Sequence, residues 1–189
     1  MAHRALTRGI AAGAATALSV GALALLGGGI AGAAPASVTW DEGSTRFTRG
    51  VSNATPTVGD TITVTTKFER TKAVEERLNW VKDYHDSCLT YVYDSAKMNG
   101  SPVEPHLDIK PGFIAADFMA TSYQATVTQA SPVTVTAQYK VGENCQIGAK
   151  LNSGMEYIGS RGPGNYSTKG PQITVKAGGT GSLGSLFGS

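Results

Sequence analysis

The sequence predicts an all-β fold built as a sandwich of two sheets. Apolar residues alternate with threonine or charged residues over several stretches, which is the pattern of strands with one buried face and one wet face. Turn signals separate about seven such stretches, and no segment has the length and period of a helical domain. The presence of a single pair of cysteines agrees with this architecture.

Residues 1–33 are predicted to be a secretory signal peptide. Arg4 and Arg8 give a basic start, an apolar run follows over residues 10–30, and small residues at 31–36 suit a signal peptidase. The run is rich in Ala and Gly rather than in the Leu, Ile and Phe of a membrane anchor, so we expect it to be removed. The mature chain is then secreted, extracellular or held in the cell envelope, with no stable membrane span.

Removal of the signal changes the charge balance. Of the 16 Lys and Arg in the chain, Arg4 and Arg8 belong to the signal, so the remaining basic residues equal the 14 Asp and Glu in number. A neutral chain without a basic cluster has no electrostatic basis for binding nucleic acid. Residues 37–177 suit one domain, and the Gly- and Ser-rich residues 178–189 predict a disordered, flexible tail.

The first strands of the domain are indicated by alternation. Val38 and Trp40 suggest an opening strand, and Phe47 lies on a second one. Residues 60–70 alternate strictly, with an inward set made of Ile62, Val64, Thr66 and Phe68. The outward set is made of Thr61, Thr63, Thr65 and Lys67. Threonine suits that face because it is β-branched and keeps a hydroxyl in water.

The middle of the chain is less regular. Residues 72–83 fit either a helical turn or a strand, and we favour a strand over 78–84. Residues 87–94 are largely apolar on both faces and predict a central strand or one that is covered on its second side. Asn99 followed by Gly100 predicts a hairpin with a type I′ turn.

The last strand of strong alternation covers residues 132–141. We expect Val135 and Tyr139 to face the core, and Thr134 and Gln138 to face solvent. A turn at 129–132 predicts that the strand before this turn and the strand at 132–141 pair as a hairpin. Residues 142–170 are rich in Gly, Asn and Ser and predict a long loop or irregular hairpin, and Ile173 and Val175 indicate a final strand.

The two cysteines that remain in the mature chain, Cys88 and Cys145, are predicted to form a disulfide. An even pair in an oxidising compartment is typical of such a bridge. A metal or redox pair is the alternative, but the two residues lack C-x-x-C spacing and no His stands beside either in a metal pattern.

Two groups of residues are candidates for a functional site. His85, Asp86 and His106 could hold a metal or serve a secreted enzyme, although their spacing matches no zinc pattern and no nucleophile motif accompanies them. Tyr157 and Tyr166 lie in the Gly-rich segment beside Arg161, and such rings favour contact with a protein or glycan. We therefore treat Tyr157, Arg161 and Tyr166 as a candidate binding loop.

Short motifs carry a resemblance to bacterial immunoglobulin-like domains of secreted actinobacterial proteins. Residues 56–64 follow the pattern P-x-x-G-D-x-I-x-V, which resembles the start of the second strand in those domains. Residues 133–141 resemble their penultimate strand, and 171–176 their last. The resemblance covers roughly residues 37–177 and implies an immunoglobulin-like β-sandwich. The cysteines depart from the antibody pattern, because Cys88 lies on a middle strand and Cys145 follows the penultimate one.

These observations favour a secreted or envelope-associated module of immunoglobulin-like fold that binds or scaffolds without catalysis or cofactor. Its partner is expected to be a protein or glycan at the cell surface. One alternative is a metal-binding protein or enzyme that uses His85, Asp86 and His106. A second alternative is a structural subunit of the cell envelope.

Overall fold

A computed structural model describes residues 34–178 apart from 104, 105, 120, 122 and 124. The predicted signal peptide lies outside the described residues. The predicted tail also lies outside them, apart from Gly178. Within that part, strands joined by turns make up two large antiparallel sheets and one small one.

The first sheet holds seven strands. They are β1 (Ala36–Glu42), β2 (Thr45–Val51), β3 (Thr61–Arg70), β5 (Leu89–Tyr91), β6 (Lys97–Met98), β7 (Ser101–Pro102) and β11 (Val133–Val141). Their order is β1-β2-β3-β11-β6-β7, and β5 also pairs with β11.

The second sheet holds six strands. They are β4 (Glu76–Tyr84), β8 (Leu107–Lys110), β9 (Phe113–Asp117), β10 (Ala125–Val127), β13 (Gly154–Gly159) and β14 (Gly162–Tyr166). Their order is β14-β13-β4-β9-β8, and β10 also pairs with β4. A short third sheet pairs β12 (Lys150–Leu151) with β15 (Ile173–Thr174).

The two large sheets pack face to face, which confirms the predicted all-β sandwich. Phe47 and Phe68 project from the first sheet onto Tyr157 of the second, with ring centroids 5.5 and 5.6 Å apart. Other fully buried side chains from both sheets complete the core, among them Ile62, Tyr139, Leu78, Val127 and Met155. The core is therefore built from the inward residues of both sheets.

The predicted faces of β3 and β11 are largely confirmed. Ile62, Val64, Phe68 and Tyr139 are buried, Val135 is half-buried, and Gln138 is exposed. Thr63 and Thr134 are half-buried rather than exposed. The prediction is wrong for Thr65, which is 4% exposed. It lies in the middle of the sheet, paired with Gly50 of β2 on one side and with Thr136 of β11 on the other.

The Asn99-Gly100 hairpin is also present. Met98 pairs with Ser101 across the turn. Both central residues have positive φ, 50° at Asn99 and 83° at Gly100, as a type I′ turn requires.

Three other expectations are wrong. Residues 87–94 form only the short strand β5, which pairs with β11 on one side and is not central within the described sheet. The turn at 129–132 does not join hairpin neighbours, because β10 pairs with β4 and β11 pairs with β3. The chain crosses from one sheet to the other at this turn.

The third error is the long loop expected over residues 142–170. The alternative expectation, an irregular hairpin, is closer to the structure, because this segment contains β12 and the hairpin β13–β14, which is regular. Glycine here serves close packing. A Cβ on Gly164 would lie 2.4 Å from a ring carbon of Tyr157, so only glycine leaves room for that ring. Gly162, with φ of 123°, occupies a conformation that the hairpin turn needs.

A disulfide joins Cys88 to Cys145, whose Cα atoms are 5.0 Å apart. It links the segment just before β5 to the loop that follows β11. Both cysteines are buried.

Two buried arginines connect the sheets. Arg70 of β3 pairs with Glu76 of β4, with Nη1 and Oε2 2.6 Å apart, and both also bond to the Thr45 hydroxyl. Arg49 of β2 pairs with Asp83 of β4. Since both acidic partners lie on β4, the two pairs fix that strand against the first sheet.

Candidate binding surface

The outward side of the second sheet carries a group of aromatic and charged side chains, which we call the outer face. It comprises Trp80, Lys82 and Tyr84 of β4, Phe113, Ala115 and Asp117 of β9, Asp108 of β8, and Glu156 and Ile158 of β13, which the strand register brings side by side.

A bulge on β4 directs Trp80 to this face. Ile158 pairs with Trp80 and the next residue, Gly159, pairs with Leu78, so Asn79 is an extra residue in β4. A bulge of this kind shifts the alternation of a strand. Leu78 is therefore buried in the core, whereas Trp80 faces outward with Lys82. β4 confirms the strand predicted over 78–84, and the bulge places Leu78 and Trp80 on opposite faces of it.

Lys82 lies at the centre of the aromatic groups. Its Nζ is 5.0 Å from the ring centroid of Trp80, 5.3 Å from that of Tyr84 and 4.6 Å from that of Phe113. An ammonium over aromatic faces is attracted by their electron density. Glu156 Oε2 lies 3.8 Å away. The lysine side chain is only 20% exposed, so it holds the rings in place rather than extending into solvent.

Tyr84 is fixed by its own hydrogen bond. Its hydroxyl donates to Glu156 Oε2 over 2.7 Å. This bond, together with partial burial and the negative charge of Glu156, raises the pKa of Tyr84 to about 12. The phenol therefore keeps its proton, and remains a donor, further into the alkaline range than an ordinary tyrosine does.

An open depression of about 190 Å³ lies beside Trp80. Its lining consists of Trp80, Lys82, His106, Asp108, Phe113, Ala115 and Asp117. Ala115 forms the floor, since it pairs with Lys82 on one side and with Asp108 on the other. Its single methyl group leaves the space that a larger outward side chain would fill.

The walls of the depression combine acceptors and donors. Asp117 accepts a hydrogen bond from the Met119 amide over 2.9 Å, and Asp108 lies 2.9 Å from Lys110 Nζ. Lys82 and His106 add nitrogen groups. The ring of His106 packs against Tyr123 with centroids 5.3 Å apart. The lining of the depression thus combines charged and aromatic side chains around the methyl group of Ala115.

The candidate metal-ligating residues of the alternative hypothesis are placed in separate surroundings. His85 Nδ1 lies 2.9 Å from the Asp86 carbonyl oxygen, and its ring packs on Tyr139 with centroids 4.6 Å apart. The Asp86 carboxylate accepts a hydrogen bond from the Cys88 amide. His106 lines the outer-face depression instead. Among the residues that the structure describes, no three His, Cys, Asp or Glu side chains are grouped to hold a metal ion.

The candidate binding loop is not an exposed loop. Tyr157 and Tyr166 lie on β13 and β14 and are 7% and 8% exposed. Both rings pack on Phe47, with centroids 5.5 and 5.0 Å away. Arg161 alone lies at the surface, in the turn of the hairpin, where its Nε donates to the Glu75 carbonyl oxygen over 2.7 Å. The two tyrosines therefore belong to the core.

Sequence reasoning missed the outer face for two reasons. The strand at 113–117 is short and shows no clear alternation, so Phe113 and Asp117 were not singled out. The bulge at Asn79 cannot be recognised from periodicity. The available signal was the run Trp80, Lys82 and Tyr84, in which every second residue is an aromatic or a cation.

No protein-family model and no curated protein sequence matches the chain. Solved structures of similar fold include a protein of Corynebacterium diphtheriae described as membrane anchored, with 16% identity over 75% of this chain and 38% of that chain and a TM-score of 0.52. They also include BcpA, the major pilin subunit of Bacillus cereus, with 12% identity, 69% and 40% coverage and a TM-score of 0.45. A third is BslA, a bacterial hydrophobin, with 12% identity, 72% and 98% coverage and a TM-score of 0.47.

The Corynebacterium protein supports the immunoglobulin-like β-sandwich as the fold of this chain, and at this identity it supports the fold alone. This chain spans well under half the length of that protein. The TM-scores of the other two are too low to carry an argument. Over the described residues, no helix has the length and apolar character needed to cross a bilayer.

Proposed function

We propose that this protein is a secreted or envelope-associated module that binds a cell-surface partner without catalysis, and that the outer face is its binding surface. The observation that carries the proposal is the arrangement of Trp80, Tyr84 and Phe113 around Lys82. Aromatic side chains that are only half-buried in the free protein, next to an open depression, provide apolar area that a partner can cover.

The fixed geometry of the face supports binding. Lys82 and the Tyr84–Glu156 hydrogen bond hold the rings in place, so little side-chain freedom is left to lose when a partner binds. Ile158, which is 44% exposed, extends the apolar area on β13 beside Trp80. Aromatic residues held in fixed positions in this way are typical of those that contribute most to the binding free energy.

Two features of the chain support the proposed location. A predicted signal peptide and a disulfide both suit an oxidising compartment outside the cytoplasm. The Corynebacterium protein of similar fold is described as membrane anchored, which agrees with a location at the cell surface.

A structural subunit of the envelope is a second candidate, favoured by strand β1. Within the described sheet this strand pairs only with β2, so its other edge presents seven residues of backbone. An edge of this kind can accept a strand from another copy. Native mass measurement of the exported protein separates the two candidates, because a subunit forms multimers and a binding module stays monomeric.

Cosedimentation of the purified exported protein with washed cell-envelope material tests the main proposal. Trp80→Ala and Phe113→Ala should each lower the sedimented fraction at least tenfold. Gln138→Ala, on the outward side of the first sheet, is the matched control and should sediment like the wild type. Equal sedimentation of all four proteins, each shown to be folded by circular dichroism, would rule out the outer face.

A further inference from the structure

The depression beside Trp80 restricts the chemistry of the partner. Its volume of about 190 Å³ is below the range of about 300–1,000 Å³ that is typical of pockets for drug-sized ligands. It therefore suits a single small ring rather than a large molecule. The depression is open on the outer face, so the remainder of a longer ligand can continue along the surface.

The polar groups in the depression do not favour an ion. The Asp117 carboxylate would repel an anion, whereas Lys110 Nζ, 2.9 Å from Asp108, balances the charge of that carboxylate. A cation gains little from the aromatic rings, because Lys82 Nζ already lies within 5.3 Å of the ring centroids of Trp80, Tyr84 and Phe113. The lining thus disfavours both signs of charge.

A neutral compound with many hydroxyl groups fits the lining better. Each hydroxyl both donates and accepts a hydrogen bond, so it can use a carboxylate as acceptor and the Lys82 ammonium as donor. Trp80 and Phe113 add apolar ring surfaces to the same lining. They match the C–H face of a sugar ring, whose hydroxyls point outward around its rim.

On the basis of the proposed function, we propose that the partner is a neutral glycan and that one of its sugar residues occupies the depression over Ala115. The aromatic walls contact the face of the ring. Asp108 and Asp117 accept hydrogen bonds from its hydroxyls, and Lys82 donates to them. The adjoining sugars run across the outer face toward Ile158.

Filling the depression tests this inference. Ala115 faces outward at the floor, so Ala115→Phe places a ring in the space that the sugar would occupy. The control is Gln138→Phe, which adds the same ring to the exposed side of the first sheet. The probes are neutral hexasaccharides of glucose, of mannose and of galactose, and polygalacturonate serves as an anionic counter-probe. Binding is measured by isothermal titration calorimetry with the exported protein.

We expect the wild type to bind at least one hexasaccharide, Ala115→Phe to weaken that binding at least tenfold, and Gln138→Phe to leave it unchanged. Asp117→Ala, at an exposed position, should weaken it severalfold and serves as the test variant if Ala115→Phe does not fold. Failure of the wild type to bind any of the three neutral probes, preference for polygalacturonate, or unchanged binding by the test variant would overturn the inference.

Treatment of the envelope material separates this inference from the proposed function. Periodate cleaves the vicinal diols of sugars, and protease removes proteins. If sedimentation depends on Trp80 but survives periodate and is lost after protease, the partner is a protein. The glycan inference is then wrong, while the outer face remains a binding surface. If sedimentation does not depend on Trp80, the proposed function itself fails.

Discussion

Arg49 Nη2 donates a hydrogen bond to Asp83 Oδ1 over 2.6 Å, from β2 of the first sheet to β4 of the second. The arginine side chain is 1% exposed. Its other nitrogens donate to the hydroxyls of Thr66 on β3 and of Ser153, which directly precedes β13. The guanidinium therefore bonds to three separate parts of the chain. Asp83 stands between Lys82 and Tyr84 on β4, and the ion pair therefore fixes the strand that carries the outer face.

Removal of the arginine from this pair should be strongly destabilising. Arg49→Met leaves the mostly buried Asp83 carboxylate without its cation, and the loss of one partner of a buried pair costs about 3–5 kcal/mol. Urea unfolding measures the change. Arg46→Met is the matched control, because Arg46 and Asp41 form an exposed pair and the free energy of unfolding should barely change. Equal effects of the two substitutions would show that Arg49 does not act as a buried ion-pair partner.

The disulfide should be oxidised in the exported protein. Thiol labelling of the denatured, unreduced protein should then find no free thiol. Cys145→Ser should lower the free energy of unfolding by about 2–5 kcal/mol, since the bridge spans 57 residues and restricts the unfolded chain. Two labelled thiols per molecule would contradict the prediction.

The two faces of the first sheet should differ in their sensitivity to substitution. Phe68 is fully buried against Phe47 and Tyr157, so Phe68→Ala should cost about 3–5 kcal/mol. Gln138 is exposed, and Gln138→Ala should change stability by no more than about 0.5 kcal/mol. Chemical unfolding of the two variants makes the comparison. A similar loss in both would mean that the outward side of β11 is covered in the native protein.

The sequence predicts those parts of the fold in which one local rule operates. Strict alternation located β3 and β11, and Asn99-Gly100 located the hairpin between β6 and β7. The pairing of β3 with β11 could not be predicted, because it joins segments far apart in the chain and depends on the whole topology.

The candidate site was harder to predict because it depends on tertiary structure. Arg49 has the polarity of a surface residue, and its burial follows only from the presence of Asp83 on the opposite sheet. The glycines around Tyr157 and Tyr166 predict a loop, yet one of them, Gly164, provides space for both rings. Trp80 reaches the surface through a bulge that no local pattern reveals.

Stability should decrease at alkaline pH because of the buried tyrosines. Burial is the main cause that raises the pKa of Tyr139 and Tyr157 above their usual value. The unfolded chain loses these protons at about pH 10, while the folded protein retains them. Their contribution is thus complete below about pH 10 and is lost as the pH rises through the higher folded-state values. Unfolding free energies measured from about pH 8 to 11 should fall above 10, and a flat profile would contradict this.

A pH titration followed by phenolate absorbance tests one hydrogen bond of the outer face. The phenolate absorbance of the wild type should include one step near pH 12 that Tyr84→Phe removes, because the pKa of Tyr84 is raised to about 12 by Glu156. Glu156→Gln should keep the step but move it toward lower pH. A Tyr84 step at the ordinary tyrosine value would mean that the bond to Glu156 is absent in solution.

Hydroxyl-radical footprinting of the exported protein, free and bound to envelope material, tests most directly that the outer face is the binding surface. The method reads the solvent exposure of individual side chains. We predict that Trp80, Phe113 and Ile158 become protected on binding, while Tyr93, which is 75% exposed and follows β5 of the first sheet, is modified equally in both states. Unchanged modification of Trp80 and Phe113, with protection confined to Tyr93 or to strand β1, would contradict the account.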